Sequence, residues 1–473
     1  MDFHVSLAGR GDLASRIYKQ LRGAILDGRL RGGERLPPTR ELARRLDVSR
    51  NTVAVAYERL SAEGFLVARV GAGTFVRTEP IERVRARKAP GGDGVRPREV
   101  WRSLPLPAGT GSDTPAYDFR PGIPDAGLFP LESWRRLIAG EFRSAAIHPA
   151  RYGDPSGHAG LRAAIARYFG VSRSVRADAD DVLITHGAQQ ALDLIGRILI
   201  EPGDCVAVEE PGYAPARLLF QSLGARVTGV PVDAEGIDVT AIPPTARLVY
   251  VTPSHQFPLG TPMSLDRRTA LLAWAERHGA LVVEDDYDSE FRFGDRPLEP
   301  LQSLDRHGHV VYVGSFSKTL LPMLRLGFLV APASLRPALR AAKQLSDRHG
   351  ELPTQAALAR FIDEGMLARH IRRATRDYRA RHELIVASLR RDFADRLRLV
   401  PSAAGLHVCA RFIHDTPADA DQVIERARHS GVAVESLARH YGDRPPEPGL
   451  VVGYGAISPT RIGEGLRLLA ASW

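Results

Sequence analysis

The sequence predicts a chain in two parts: a small, mainly helical head closed by a β wing, and a large α/β body with a mostly parallel sheet. Three observations predict it. Leu36 to Leu60 carries two short helical patterns split by a turn; FLVARVGAGTFVR sets two β runs about Gly71-Ala72-Gly73; beyond Tyr117 apolar β runs alternate with helical stretches. At roughly 150 residues per domain, 473 residues allow about three domains and a large core. Hydrophobic content of 44% and charged content of 25% match an ordinary globular chain. No apolar run approaches the ~18 residues of a membrane span, and MDFHVSLAGRG has no apolar signal core, so a cytoplasmic protein without membrane contact is expected. Cys205 and Cys409 form no CxxC pattern and are too few for a disulfide framework or a metal site; no metal is expected.

In the head, Ile17, Leu21, Ala24 and Ile25 recur at helical spacing, giving an amphipathic helix that ends near Gly28. Thr39 is placed to cap a second, short helix that buries Leu42, Ala43 and Leu46. After a turn at Asp47 and Val48, Ser49 caps a third helix whose Val53, Ala56, Tyr57 and Leu60 face inward. Its opposite face offers Arg50, Asn51, Ala54 and Val55. Arg and Asn at a helix N-terminus suit bidentate contacts to base edges in a major groove. Glycines in the wing allow close approach of backbone to DNA, with Arg69 or Arg77 meeting phosphate.

Net charge is +9, and residues 1–78 carry 14 Arg and Lys against 8 Asp and Glu. Residues 79–115 add 7 against 5, leaving about +1 for the rest. That asymmetry favours a polyanion at the head. The run Leu36 to Val76 resembles the winged helix-turn-helix of the GntR superfamily. The resemblance implies that Arg40, Ser49, Arg50, Asn51, Thr52 and Gly71 touch a double-stranded DNA operator. The head is assigned to residues 1–78. Residues 79–115, with six prolines, five glycines and no periodicity, read as a linker of roughly 35 Å root-mean-square reach, or ~120 Å fully extended.

Residues 116–473 form the body. DVLIT, DCVAVEE, RLVYVTP, ALVVEDD and HVVYVGS read as strands, with AQQALDLIGRILI and LLAWAERHG as helices, so functional residues are expected at the carboxyl ends of strands. Only four lysines occur beside 60 arginines, and Lys318 lies just past a strand between Ser317 and Thr319. A position that keeps lysine in so arginine-biased a chain needs an amine, because arginine cannot form a Schiff base with an aldehyde. The aldehyde that fits is pyridoxal 5'-phosphate. It needs an acid to hold its ring nitrogen protonated, and Asp285 stands at a strand end; Tyr287, two residues on, points to the same side to meet the phenolic oxygen. EDDYDSE alone also reads as a solvated acidic loop. Gly187, Ala188 and Gln189 open a helix whose free N–H groups suit the phosphate, completed by Ser315, Ser317 and Arg325. Tyr213 is placed either to stack on the pyridine face or to serve as a core aromatic.

In order and spacing these segments resemble the fold-type-I aminotransferase family over nearly all of residues 116–473. Joined to the GntR-like head, and with the strings TPSHQFPLG and AAGLH, the chain resembles MocR-type regulators, in which an aminotransferase-like domain senses an effector. Two departures from the enzyme family stand out. Phe257 takes the position of an asparagine beside the cofactor, which leaves His255 or Gln256 to reach the ring oxygen; and Val451 or Val452 stands where the enzymes place an arginine that forks onto the substrate α-carboxylate. Without that clamp, transamination is expected to be weak or absent; Arg217, Arg439 and Arg461 are the candidates to replace it. The expected function is a transcription regulator sensing pyridoxal phosphate itself, in control of vitamin B6 supply, or an amine or amino acid. The alternatives are an aminotransferase with an autoregulatory head, and a DNA-binding protein whose body only dimerises. The resemblance implies a homodimer, and the reach of the linker fits a head-to-tail arrangement with heads over opposite bodies.

Overall fold

The computed structural model describes residues 12–78, 94–105, 115–142, 151–294, 299–413 and 419–473. The chain divides into two compact units, Met1–Arg96 and Pro97–Trp473. Much of the stretch read as a linker, 79–93 and 106–114, lies outside the described residues. Val100–Ser103 forms a short helix, and Arg98 donates to the Ser222 carbonyl at 2.7 Å. These residues therefore count with the second unit rather than with free linker.

In the head, α1 (Leu13–Leu26) starts where the Asp12 carboxylate accepts from the Ala14 N–H at 3.1 Å. Its Ile17, Leu21 and Ala24 share a buried cluster with Val53, Ala56 and Leu60 of α3 (Arg50–Ala62), each large side chain contributing ~1.5–3 kcal/mol by burial. Between them α2 (Thr39–Leu46) is capped differently from expectation. Pro38 holds the cap position without a side-chain bond, and Thr39 is the first helical residue. Glu41 in the first turn compensates by facing the positive helix end. Asp47 closes α2 at φ 53°, and Ser49 caps α3 by accepting from the Thr52 N–H at 3.0 Å. Strands β1 (Leu66–Arg69) and β2 (Gly73–Val76) pair antiparallel from Leu66↔Val76 to Arg69↔Gly73, forming the expected wing.

The body is built on eight strands: β3 (Val182–Thr185), β4 (Cys205–Glu210), β5 (Arg226–Asp233), β6 (Gly236–Ile237), β7 (Ala246–Val251), β8 (Leu281–Asp286), β9 (Val310–Ser315) and β10 (Gly327–Val330). Their order is β3-β10-β9-β8-β7-β4-β5-β6. From β9 to β5 neighbours run parallel, while β10 is antiparallel to both β9 and β3. The carboxyl ends of β3, β4, β7, β8 and β9 therefore share one edge. Alternation sorts the strands onto two faces: Val182 and Ile184 pack with Leu161 and Ile165 of α4 (Ala159–Arg173), whereas Leu183 packs with Leu192 and Ile195 of α5 (Ala188–Leu199). Helix α6 (Leu265–His278) joins a third cluster through Leu271 and Trp274.

A second layer holds an antiparallel sheet of β11 (Leu397–Leu399), β12 (His407–Phe412), β13 (Glu435–Ser436) and β14 (Gly449–Gly453), ordered β11-β12-β14-β13. It packs on the 27-residue helix α7 (Met366–Asp392), whose Ala374, Tyr378, Ile385 and Leu389 form one apolar stripe. No described helix is long and apolar enough to cross a membrane.

Candidate functional site

Lys318 sits three residues past the end of β9, half-buried, and its Nζ donates to the Gly122 carbonyl at 2.6 Å. Gly122 is at φ 76°, and a Cβ there would stand 2.9 Å from Nζ, so only glycine leaves the amine room. Burial pulls the Lys318 pKa below the ordinary lysine value, against the opposing pull of Asp288 and Asp285, and Arg325 adds to the lowering. A lowered pKa favours the neutral, nucleophilic amine.

Asp285, at the end of β8, is buried, and its Oδ2 accepts from the Tyr250 hydroxyl at 2.8 Å. Its Oδ1 has no hydrogen-bond partner among the described residues. Burial pushes this carboxyl up to about 7, with the Tyr250 bond pulling the other way. The next residue, Asp286, projects to the opposite face, where it meets Arg173 at 3.0 Å and the Tyr312 hydroxyl at 2.6 Å. Burial would raise Asp286 too, but the Arg173 guanidinium holds it below its usual value. Neighbouring carboxylates on one strand thus have opposite environments. Asp286 is paired with a guanidinium, whereas Asp285 has only the Tyr250 hydroxyl; each keeps its Oδ1 without a hydrogen-bond partner among the described residues.

The Tyr287 oxygen lies 3.0 Å from His255 Nδ1, which is 2.9 and 3.0 Å from the two carboxylate oxygens of Asp288. An ionised carboxylate only accepts, so Nδ1 carries the proton. The Tyr287 oxygen then accepts from the same N–H, and its own hydrogen is left for another acceptor. His255 Nε2 is engaged by Ser402 Oγ at 3.1 Å. Neither ring nitrogen of His255 is therefore spare, contrary to the reading that sends it to the cofactor. Gln256 is equally committed: its amide nitrogen donates to Glu209, Pro211 and Phe257 oxygens, and its oxygen accepts from Leu259 N at 3.0 Å. It locks the QFPLG turn. His255, Asp288 and His407 also form a cluster of metal-ligand type, but His407 Nε2 donates to the Pro258 carbonyl at 3.1 Å and a Cβ at Gly405 would already overlap the His255 ring, so the space is filled by protein.

At the other end of the site, Gly187 begins α5 at φ 76° with no side-chain cap bond, leaving the first N–H groups of Ala188 and Gln189 to the helix start. Arg325, exposed and at φ 51°, reaches across to donate to the His186 carbonyl at 2.7 Å. A Cβ on Gly187 would come within 3.1 Å of its guanidinium. Ser315 is buried at the end of β9 and its Oγ accepts from the Ser317 N–H at 3.2 Å. Tyr213, half-buried, meets Phe257 edge-on at 5.9 Å between ring centroids.

Pyridoxal phosphate fits this donor set on three observations. The partnerless Asp285 oxygen suits a protonated ring nitrogen, the glycines at 122 and 187 keep clear the spaces beside the amine and the guanidinium, and a helix N-terminus with two serines and an arginine suits a dianion. Sequence reasoning missed Tyr250 and Gly122. Tyr250 had a signal, since it lies in RLVYVTP, a strand beside β8; Gly122 had none, being close to Lys318 only through the fold.

Val451 and Val452 are fully buried in β14. Val451 packs with Leu259, Cys409 and Leu437, and Val452 with the opposite cluster. Of the arginines considered as replacements for a carboxylate clamp, Arg217 is taken by Glu210 and Asp443, and Arg461 lies over the Tyr117 ring at 4.8 Å.

In the head, Arg40, Ser49, Arg50, Asn51 and Gly71 are exposed, and Thr52 is half-buried with its Oγ1 2.7 Å from Ser49 Oγ. Val55 and Val70 are apolar residues exposed on α3 and at the wing tip. Tyr57 anchors the start of α2 by donating to the Pro37 carbonyl at 2.8 Å.

A DNA-reading head on an aminotransferase-like body defines a transcriptional regulator rather than a plain enzyme. Residues 13–76 match the family "Bacterial regulatory proteins, gntR family", and residues 124–437 match "Aminotransferase class I and II", a fold family that works with pyridoxal phosphate. The chain is 40% identical to the probable rhizopine catabolism regulatory protein MocR of Rhizobium meliloti over 97% of its own length and 93% of that protein. It is 32% identical to the pyridoxine biosynthesis regulator PdxR of Corynebacterium glutamicum, over 94% and 92%. The body is similar to the crystal structure of LysN, the α-aminoadipate aminotransferase of Thermus thermophilus, at 31% identity and TM-score 0.69, covering 75% of this chain and 91% of that one. The chain belongs to the MocR group of GntR-type transcriptional regulators.

Proposed function

We propose that this regulator holds pyridoxal phosphate at Lys318 and that occupancy or modification of that site changes how the two heads of a homodimer engage their operator. The observation that carries this reading is the partnerless Oδ1 of buried Asp285 in a site that also contains the lone, deprotonation-prone Lys318. When bound, the cofactor supplies an aldehyde carbon for amine attachment and a pyridinium electron sink. The chain's residues do the rest. Lys318 presents the amine, held by the Gly122 carbonyl; Asp285, steadied by Tyr250, keeps the ring nitrogen protonated; Gly187, Ala188, Gln189, Ser315, Ser317 and Arg325 hold the phosphate; Tyr213 covers the ring. Tyr287 donates to the phenolic oxygen, and the His255–Asp288 pair leaves its hydrogen free to do so. That arrangement replaces the asparagine absent at Phe257.

Transamination of ordinary α-amino acids is weak or absent, because Val451 and its apolar neighbours supply no guanidinium for an α-carboxylate. The effector is accordingly pyridoxal phosphate itself or a primary amine that needs no such clamp. In the head, Arg50 and Asn51 read base edges, while Arg40, Ser49, Thr52 and Gly71 meet the backbone. Adding pyridoxal phosphate to cofactor-free protein tests the site. Wild type should develop a visible absorbance band that survives dialysis and Lys318→Ala should not; an equal, dialysis-resistant band in both would refute attachment at Lys318.

A further inference from the structure

We infer that the exposed face of α7 is a second DNA-contacting surface, which takes the phosphate backbone of duplex flanking the operator. Arg369, Arg372, Arg373, Arg376 and Arg379 are all exposed and fall at i, i+3, i+4, i+7 and i+10, one stripe opposite the buried Leu367, Ile371, Ala374 and Tyr378. From Arg369 to Arg379 the stripe runs about 15 Å. Arg369 donates to the Glu364 carbonyl. Arg372, Arg373, Arg376 and Arg379 make no ion pair or side-chain hydrogen bond among the described residues.

This differs from the body's other helices. Many of their exposed arginines stand beside carboxylates, Arg135 with Glu132, Arg197 with Asp193, Arg360 with Glu364 and Arg428 with Glu425, and those that do not, such as Arg277 and Arg467, are scattered rather than aligned on one face. Residues 116–473 are nearly neutral overall, at about +1, so the stripe is a local concentration within a balanced surface. Like charges at i, i+4 destabilise a helix, and a polyanion relieves that repulsion. Duplex DNA presents one phosphate charge per ~1.7 Å of axis, enough for every arginine of the stripe to find one. Arginine also binds phosphate through paired donors, where lysine would give a point charge. DNA is the favoured occupant because the stripe's charge complements phosphate and the same chain carries a GntR-type head.

The test compares two duplexes with full-length protein: a short one holding only the operator, and one extended by several helical turns on both sides. Arg and Gln have similar helix propensity, so R372Q/R373Q/R376Q/R379Q should fold, which a wild-type melting temperature would verify. A second variant, R277Q/R306Q/R444Q/R467Q, removes equal charge from scattered exposed positions. Wild type should bind the long duplex more tightly than the short one. The stripe variant should keep wild-type affinity for the short duplex, lose about tenfold or more on the long one, and show a salt slope on the long one smaller by about 3 to 4 for each protomer whose stripe touches it, as four lost phosphate contacts apiece require. The scattered variant should lose much less. Equal binding of both duplexes by wild type, or equal loss in both variants, overturns the proposal. So does a stripe variant that binds DNA normally yet fails to regulate in purified transcription, which would assign the surface to an acidic partner protein.

Discussion

Asp285 separates cofactor binding from folding, since its carboxyl serves the first and burdens the second. Its value of about 7 lies above the 3.8 of an ordinary aspartate. Below pH ~4 both folded and unfolded forms are protonated; between there and about 7 the fold holds the extra proton, so stability falls as pH rises across that window. In cofactor-free protein, Asp285→Asn removes this burden. The variant should melt above wild type at pH 8 and depend less on pH between 5 and 8, while its affinity for pyridoxal phosphate falls at least tenfold. Loss of stability together with binding would mean that Asp285 is structural. Asp288 offers a parallel test. Asp288→Asn presents an amide donor to His255, turns Nδ1 into an acceptor and engages the Tyr287 hydrogen. A donor to the phenolic oxygen stabilises its negative charge, so the pH midpoint of the loaded protein's visible absorbance should rise by about a unit. An unmoved midpoint would remove the pair from the account. At this scale the sequence singles out Lys318, Asp285 and Tyr287 by their places at or just past strand ends, and Arg325 by its charge two residues before β10. The assignment of His255 and Gln256 to the ring oxygen was not settled by motif, because which atoms they already bind depends on Asp288, Ser402 and Glu209, remote in sequence.

Among elements, α3 links the head's stability to its chemistry through Ser49. Ser49→Ala removes the cap and should cost about 1 kcal/mol of head stability, read as a lower denaturant midpoint for the head. Arg50→Ala, one residue on and fully outside the cluster, should leave that midpoint unchanged while costing about 1–3 kcal/mol of specific operator binding. Unchanged operator affinity would remove Arg50 from base reading. The same logic governs α5. Gly187→Ala places a side chain at φ 76° and 3.1 Å from the Arg325 guanidinium, so phosphate affinity should fall more than folding does. Most elements could be read from pattern, since β3, β4, β7, β8 and β9 each open on or contain a run of three or more apolar residues bounded by turns or polar ends. β10 could not: GFLV is short, and its antiparallel setting between β3 and β9 is a property of topology. The Thr39 cap failed for a local reason, because Pro38 takes the cap position and the helix begins at Thr39 itself.

Across the whole molecule, the order of parts along the chain was legible, while the coupling between them was not. The sequence shows a basic head, a proline- and glycine-rich stretch and an aminotransferase-like body, but no residue pattern says which state of the body favours DNA. A regulator needs its effector to bind one arrangement better than another, and typical coupling is about 5–150-fold. The decisive measurement is operator affinity of cofactor-free, full-length protein with and without saturating pyridoxal phosphate, in wild type and in Lys318→Ala. The account predicts a shift of at least about fivefold in wild type and none in the variant. An identical response in the two proteins, whether a shared shift or no shift in either, would contradict it.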